Sequence, residues 1–159
     1  MKDNQVLNIF LGNPGLGISK ALYDQYCNEH YIGIDGMPLV DSLLASMNLS
    51  NRRSIMFREC KDGWYVANAF IMDSEIGDMN TVKNGKYKDL FPERQTECYK
   101  ETACKFARGH FGDAGNVIDV TLDSIRKHVE SLDTLIGFNI VMTLEGGFGS
   151  GFGSLLVKK

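Results

Sequence analysis

No stretch of this chain is apolar for long enough to cross a membrane. The longest uncharged apolar run, residues 134–144, falls far short of the roughly 20 residues a spanning helix requires. Nor is there a basic cluster. With 17 Lys and Arg against 20 Asp and Glu, and a formal net charge of −3, neither nucleic acid nor an anionic membrane is an expected partner. Cysteine is sparse, and Cys27, Cys60, Cys98 and Cys104 form no C-x-x-C pair. No secretory segment precedes them, because the apolar run ending at Gly12 is too short for one and reads as a strand. The four therefore read as reduced thiols of a soluble, cytoplasmic protein, not as a disulfide or metal framework. His30, His110 and His128 stand far apart without zinc-ligand spacing, and the lone Trp64 reads as packing. Internal repeats, low-complexity tracts and linkers are absent too.

What is present is enough apolar material, 43% of 159 residues, for one domain with a core. Residues 6–11 form a compact apolar strand, followed by the loop Gly12-Asn13-Pro14-Gly15-Leu16-Gly17. A helix is expected over 18–29, where Ile18, Leu22 and Tyr26 share one stripe. Residues 31–62 carry Gly, Pro, Asn and Ser punctuation with only a weak helical patch at 40–47, and read as a loop-rich excursion. The second strand is 64–72, closed by Asp73-Ser74-Glu75. A short helix and a turn at Asn84-Gly85 fill 78–94, and 106–111 reads as a glycine-interrupted loop. The strongest helix is 116–130, where Ile118, Leu122, Ile125 and Val129 recur at i, i+4, i+7 and i+11. A buried strand over 135–144 then leads into Glu145-Gly146-Gly147-Phe148-Gly149-Ser150-Gly151, and a last helix begins.

Strands alternating with helices predict a doubly wound, mostly parallel α/β sheet. Ligands of such sheets sit at the carboxyl ends of the strands, where the loops 12–17, 73–76 and 145–151 converge. The last is the most informative. An apolar strand, a glycine-rich turn and a helix together present backbone N–H groups to an anion, and the glycines permit close approach. Two generic phosphate motifs are excluded. A P-loop needs G-x-x-x-x-G-K-[ST], but Gly17 is followed by Ile18-Ser19; and Gly12, Gly15 and Gly17 have the wrong spacing for G-x-G-x-x-G.

The order of these motifs resembles the tubulin family, its α chain in particular. Cys27-Asn28-Glu29-His30 is similar to the end of the first α-tubulin helix, and Asn84-Gly85-Lys86-Tyr87-Lys88-Asp89-Leu90-Phe91 to its Gly, Tyr and Leu-Phe pattern. Ala107-Arg108-Gly109-His110-Phe111 resembles the α pattern Ala-Arg-Gly-His-Tyr. Ile118-Asp119, Leu122-Asp123 and Ile125-Arg126-Lys127 resemble the next helix, and Gly151-Phe152 with Ser154-Leu155-Leu156 the α form of the signature loop. The resemblance covers nearly the whole chain, with 31–68 divergent. It implies a tubulin/FtsZ-type Rossmann-like domain, partial over residues 1–159 and truncated before its last strands.

It also implies a site for GTP and Mg²⁺. Gly12 keeps the family's glycine, and Asn13 stands where a glutamine approaches the phosphates. Gly17 replaces a glutamine that reaches the guanine base, while Ser19 and Lys20 replace Gly-Asn, with Lys20 either neutralising a phosphate or merely solvated. Asp73 and Glu75 retain the acidic pair, and Glu75 is the implied Mg²⁺ ligand; helix capping by Asp73 or Ser74 is the alternative. Cys104 and Lys105 replace two asparagines, one of which donates to phosphate, and a thiol is a poor donor. In the signature loop Gly146, Gly147, Gly149, Ser150 and Gly151 survive, but Glu145 replaces a glycine and Phe148 replaces the threonine whose hydroxyl meets the phosphates. Glu145 is expected to repel phosphate, to turn into solvent, or to cap the next helix as a built-in anion.

The family's catalytic glutamate and remaining segments lie beyond Lys159, so no catalysis is expected of this chain. The reading is an α-tubulin-like cytoskeletal protein with a degraded phosphate loop and weak or no GTP binding, a pseudo-GTPase partnered by tubulin subunits or the microtubule lattice. Two alternatives stand beside it. One is a nucleotide-free module docking on tubulin through an open strand edge at 135–144, with Arg108 and His110 facing a neighbour or serving the loop. The other is an unstable fragment without a settled role.

Overall fold

Alternation in the first strand decides the layering. The computed structural model describes residues 4–39, 50–99, 104–112 and 117–159, so the helical patch expected at 40–47 lies outside the described residues. Strand β1 (Asn4–Leu11) sends Leu7, Ile9 and Leu11 into one core and Phe10 into another, with side chains pointing alternately to the two faces. Helix α1 (Gly12–His30) starts where β1 ends. The loop expected at 12–17 is therefore its first turn and a half. Gly12 makes the joint with φ of 74°, a value that side-chain-bearing residues avoid.

The excursion after α1 is more ordered than its composition suggests. Helix α2 (Ser50–Met56) runs into β2 (Phe57–Glu59), which pairs antiparallel with β3 (Tyr65–Ala67). The single strand expected over 64–72 is thus two, broken at buried Asn68: β3 belongs to the hairpin, and β4 (Ala69–Asp73) to the main sheet. Trp64 lies at the turn, 44% exposed, and takes no part in the core. Helix α3 (Ile76–Lys83) and a 3₁₀ turn at Glu93–Gln95 lead to β5 (Thr96–Cys98), a strand too short to carry a periodic signal. The glycine-interrupted loop at 106–111 is helix α4 (Phe106–Phe111), and the strongest periodicity is α5 (Ile118–Val129). Strand β6 (Thr134–Val141) is followed by a π-helical turn, Phe148–Phe152, and α6 (Gly153–Lys158).

The main sheet is parallel, in the order β5-β4-β1-β6. One core lies beneath α1 and α3, around Phe10, Tyr23, Ile71, Met79 and Phe91. The other lies beneath α5 and α6, around Leu7, Phe70, Ile125, Phe152 and Leu156. Helices on both faces make the sheet doubly wound, as expected. Tyr23 is the hub of the first core, meeting Phe57 and Phe91 edge-on at ring-centre distances of 5.6 and 5.2 Å. Strand β6 is not buried as its composition suggests. It forms the sheet edge, and a bulge that inserts Ile136 against Gln5 and Val6 leaves Ile136 and Phe138 more than half exposed.

Helix α1 ends at Tyr31, whose φ of 55° and ψ of 48° are left-handed; its N–H caps the Cys27 carbonyl. Relief of that conformation outweighs the entropy a glycine adds to the unfolded chain. Tyr31→Gly is expected to stabilise the fold by about 1 kcal/mol in urea unfolding; a destabilised variant would show that the exposed ring packs usefully.

Candidate phosphate-binding site

The pairing of Leu11 with Met72, and of Phe10 with Val141, brings three strand ends level. Gly12, Asp73 and Thr143 consequently face one cavity of about 550 Å³. Asn13, Glu75, Cys104, Glu145, Gly146, Gly147, Phe148 and Gly149 line it as well, together with Pro14 and Ser74. The three loops expected to converge do converge.

Thr143, absent from the sequence expectations, shapes the turn after β6. Its Oγ1 donates to the Glu145 carbonyl at 2.9 Å, and Gly146 follows at φ of 91°. A hydroxyl between the apolar Met142 and Leu144 is the only signal that marks it in the sequence. The helical turn that begins after Gly147 has no side-chain cap, so Glu145 does not cap it. The Glu145 side chain is exposed and makes no hydrogen bond or ion pair among the described residues. Ser150 donates to the Gly146 carbonyl at 2.6 Å, and Gly151 is buried against α4; neither lines the cavity. Phe148 forms the wall from the core side, its ring 4% exposed and stacked on Phe152 at 4.9 Å and Tyr99 at 5.8 Å.

The other expected positions divide similarly. Asn13 Nδ2 donates to Asp78 of α3, which occupies its amide. Gly17 is exposed on α1 with open space around it, away from the cavity. Lys20 donates to Thr81 Oγ1 at 3.0 Å and does not line the cavity. Cys104 lines the rim with φ of 52°, a left-handed conformation that asparagine tolerates better. Glu75 is the N-cap residue of α3, without a side-chain cap bond, so the capping role considered for Asp73 or Ser74 falls to neither. His110 serves its loop: Nδ1 lies 2.8 Å from Ser154 Oγ and 3.2 Å from the Gly151 carbonyl.

Asp73 is the electrostatic centre of the site. It is 3% exposed; Oδ1 accepts the Ser74 N–H at 2.6 Å and Oδ2 is buried without a partner. Burial pushes its carboxyl above the usual range. The Ser74 N–H opposes that shift, and the charges of Asp78 and Glu75 add to it. An orphaned carboxylate oxygen suits a proton or a hard cation. Among the described residues the lining holds three carboxylates and no Lys, Arg or His. The charges of the described lining therefore fit a cation and oppose a bare polyanion. Among the described residues no cluster of three His, Cys, Asp or Glu forms a metal site.

A doubly wound parallel sheet with a glycine-rich turn at its strand ends is the frame of a mononucleotide-binding α/β domain. The chain belongs to the Tubulin/FtsZ family, whose GTPase-domain model matches residues 5–159. It is 37% identical over 156 residues to the nucleomorph tubulin alpha chain of Guillardia theta, a match covering 98% of this chain and 34% of that one. It is 36% identical over 157 residues to the tubulin alpha-2 chain of Eleusine indica, covering 98% and 34%. With the tubulin alpha-1 chain of Schizosaccharomyces pombe it shares 33% over 158 residues, covering 98% and 35%. The chain thus spans about a third of the length of the curated relatives it matches. No helix among the described residues is long and apolar enough to cross a membrane.

The raised carboxyl of Asp73 has a definite sign in stability. A carboxyl that binds its proton more tightly when folded contributes stability below its unfolded pKa, and loses it as pH rises through the folded value. Asp73→Asn keeps the Ser74 acceptor and removes the titration. Without divalent metal, its stability relative to the parent chain is expected to rise from pH 4 to pH 7. A pH-independent difference would mean that Asp73 is not strained by its charge.

Proposed function

We propose that this chain is an α-tubulin-like cytoskeletal domain whose phosphate loop holds GTP weakly or not at all. The observation that carries the reading is Glu145, exposed on the rim of a cavity lined, among the described residues, by two further carboxylates and no cation. A carboxylate about 5 Å from a phosphate charge, at an effective dielectric of about 20, costs roughly 3 kcal/mol. That is on the order of a hundredfold in affinity. The missing threonine hydroxyl at Phe148 removes a further donor. Mg²⁺, if held, would sit with Asp73 and Glu75, where it would screen the phosphates from the carboxylates around them. The α-tubulin names of the relatives support tubulin subunits or microtubules as partners.

The test is equilibrium binding of labelled GTP, with Mg²⁺, to the chain and its Glu145→Gln and Glu145→Gly variants. Both substitutions lie on an exposed turn and leave the core alone. They are expected to bind about 10- to 100-fold more tightly than the parent. A parent chain binding as well as Glu145→Gln would sink the proposal. Phe148→Thr is a poor probe, since losing the stacked ring is expected to cost about 3 kcal/mol of stability by itself.

A second reading, a nucleotide-independent module docking on tubulin, draws on the exposed apolar residues of the β6 edge, Ile136 and Phe138. It predicts co-sedimentation with microtubules that persists without GTP and disappears in Phe138→Lys; pelleting unaffected by that substitution would exclude the edge as the contact.

A further inference from the structure

A second cavity, of about 460 Å³, lies between the C-terminal half of α5, the β2 strand and the segment entering β5. It shares no residue with the glycine cradle. Its character is the reverse: Arg58, Arg94 and Lys127 line it beside His128, with Glu97 the one carboxylate among the described residues. These cations come from three separated segments, so no basic cluster shows in the sequence.

Two polar atoms of this cavity lack partners among the described residues. Arg58 donates from Nη1 to Ser131 Oγ at 2.5 Å, which orients the guanidinium, but Nη2 is buried without an acceptor. His128 is 7% exposed and its Nε2 also has no partner. Neither Arg58 nor Arg94 forms a salt bridge among the described residues, whereas Lys127 is held by Asp123 at 2.6 Å. Glu97 is engaged by Tyr99 Oη and by Ser124. Burial and the charges of Arg58 and Arg94 hold the His128 imidazole down near a pKa of about 4, and burial followed by the charge of Arg94 lowers that of Arg58. Mutually repelling cations that form no salt bridge with the nearby carboxylate, Glu97, are stabilised by an added anion. The C-terminal dipole of α5 acts against one, but the His128 carbonyl already accepts from Ser131 N–H and Oγ.

We propose that Arg58, Arg94 and His128 form a binding site for a small phosphate-class oxyanion, independent of the glycine cradle. Planar guanidinium forks suit a tetrahedral oxyanion, and a neutral imidazole with Nε2 protonated supplies a further donor. The cavity volume lies in the range of small-molecule sites. Ser124 completes the lining as a hydroxyl partner.

The test is a titration of the full 159-residue chain with inorganic phosphate, exchanged against chloride at constant ionic strength and followed by the NMR signals of the His128 ring. Saturable shifts at His128 are expected. Arg94 is exposed, so Arg94→Gln keeps the fold, and it is expected to weaken phosphate at least tenfold. Glu97→Gln removes the opposing carboxylate and is expected to tighten phosphate several-fold. Shifts that fail to saturate, shifts confined to residues 146–149, an Arg94→Gln chain that binds as well as its parent, or a Glu97→Gln chain that binds no tighter would each overturn the site.

Discussion

The side chain of Asn8 ties the fold together. It sits in the middle of β1, fully buried, where an unpaired amide would cost several times what its bonds return. Its Nδ2 donates to Tyr23 Oη of α1 at 3.1 Å, and its Oδ1 accepts Asn139 Nδ2 of β6 at 2.9 Å. Tyr23 Oη in turn reaches the Asn68 carbonyl, at the break between β3 and β4, at 3.1 Å. One amide thus joins the helix, the neighbouring edge strand and the hairpin. Asn8 and Asn139 are also directly paired in the sheet, so a one-residue slip of β6 would leave the buried Asn8 Oδ1 without its partner. Strand register then fixes the cavity, because the levels of Gly12, Asp73 and Thr143 follow from it.

How much of this was legible depended on whether a signal was local. The 3.6-residue repeat of Ile118, Leu122, Ile125 and Val129 located α5 to within two residues, because burial on one face demands that spacing. The convergence of three loops was equally readable, since a parallel sheet leaves its strand ends no other arrangement. Other features were set by tertiary contact. The break at Asn68 is invisible within an unbroken apolar run, yet its N–H bonds to the Met56 carbonyl and turns the chain from one sheet to the other. Strand β5 has three residues and exists because β4 offers it a free edge. The apolar sequence of β6 suggested burial; the open edge expected at 135–144 is where the strand lies, and that expectation came from the family resemblance, since side-chain character does not say which strand ends at the edge.

The two cavities divide the charge of the chain in a way that composition conceals. A net charge of −3 is unremarkable, and like charges are never more than two in a row. Folding nevertheless collects Asp73, Glu75 and Glu145 at one cavity and Arg58, Arg94 and Lys127 at another. Each group is assembled from separate segments. Salt acts on both through the same screening, more strongly on exposed Glu145 and Arg94 than on buried Asp73 and His128. Affinities at either place are therefore meaningful only at a stated ionic strength.

Retention of the signature glycines is weak evidence that this loop binds phosphate. A Cβ at Gly151 would come within 2.5 Å of the Phe106 carbonyl, and one at Gly149 within 2.6 Å of Thr143 Oγ1. Both glycines are demanded by packing of the π-helical turn against α4 and the end of β6, whatever occupies the cavity. A loop that has lost its ligand keeps them for the same reason as one that has not. The discriminating positions are those where a side chain is free to differ without harming the fold. Glu145 is such a position, exposed and unbonded, and it carries the wrong charge for a phosphate. Phe148 is not free in that sense. Its ring is part of the core with Phe152 and Tyr99, so any smaller residue there would cost packing as well as change the cavity wall.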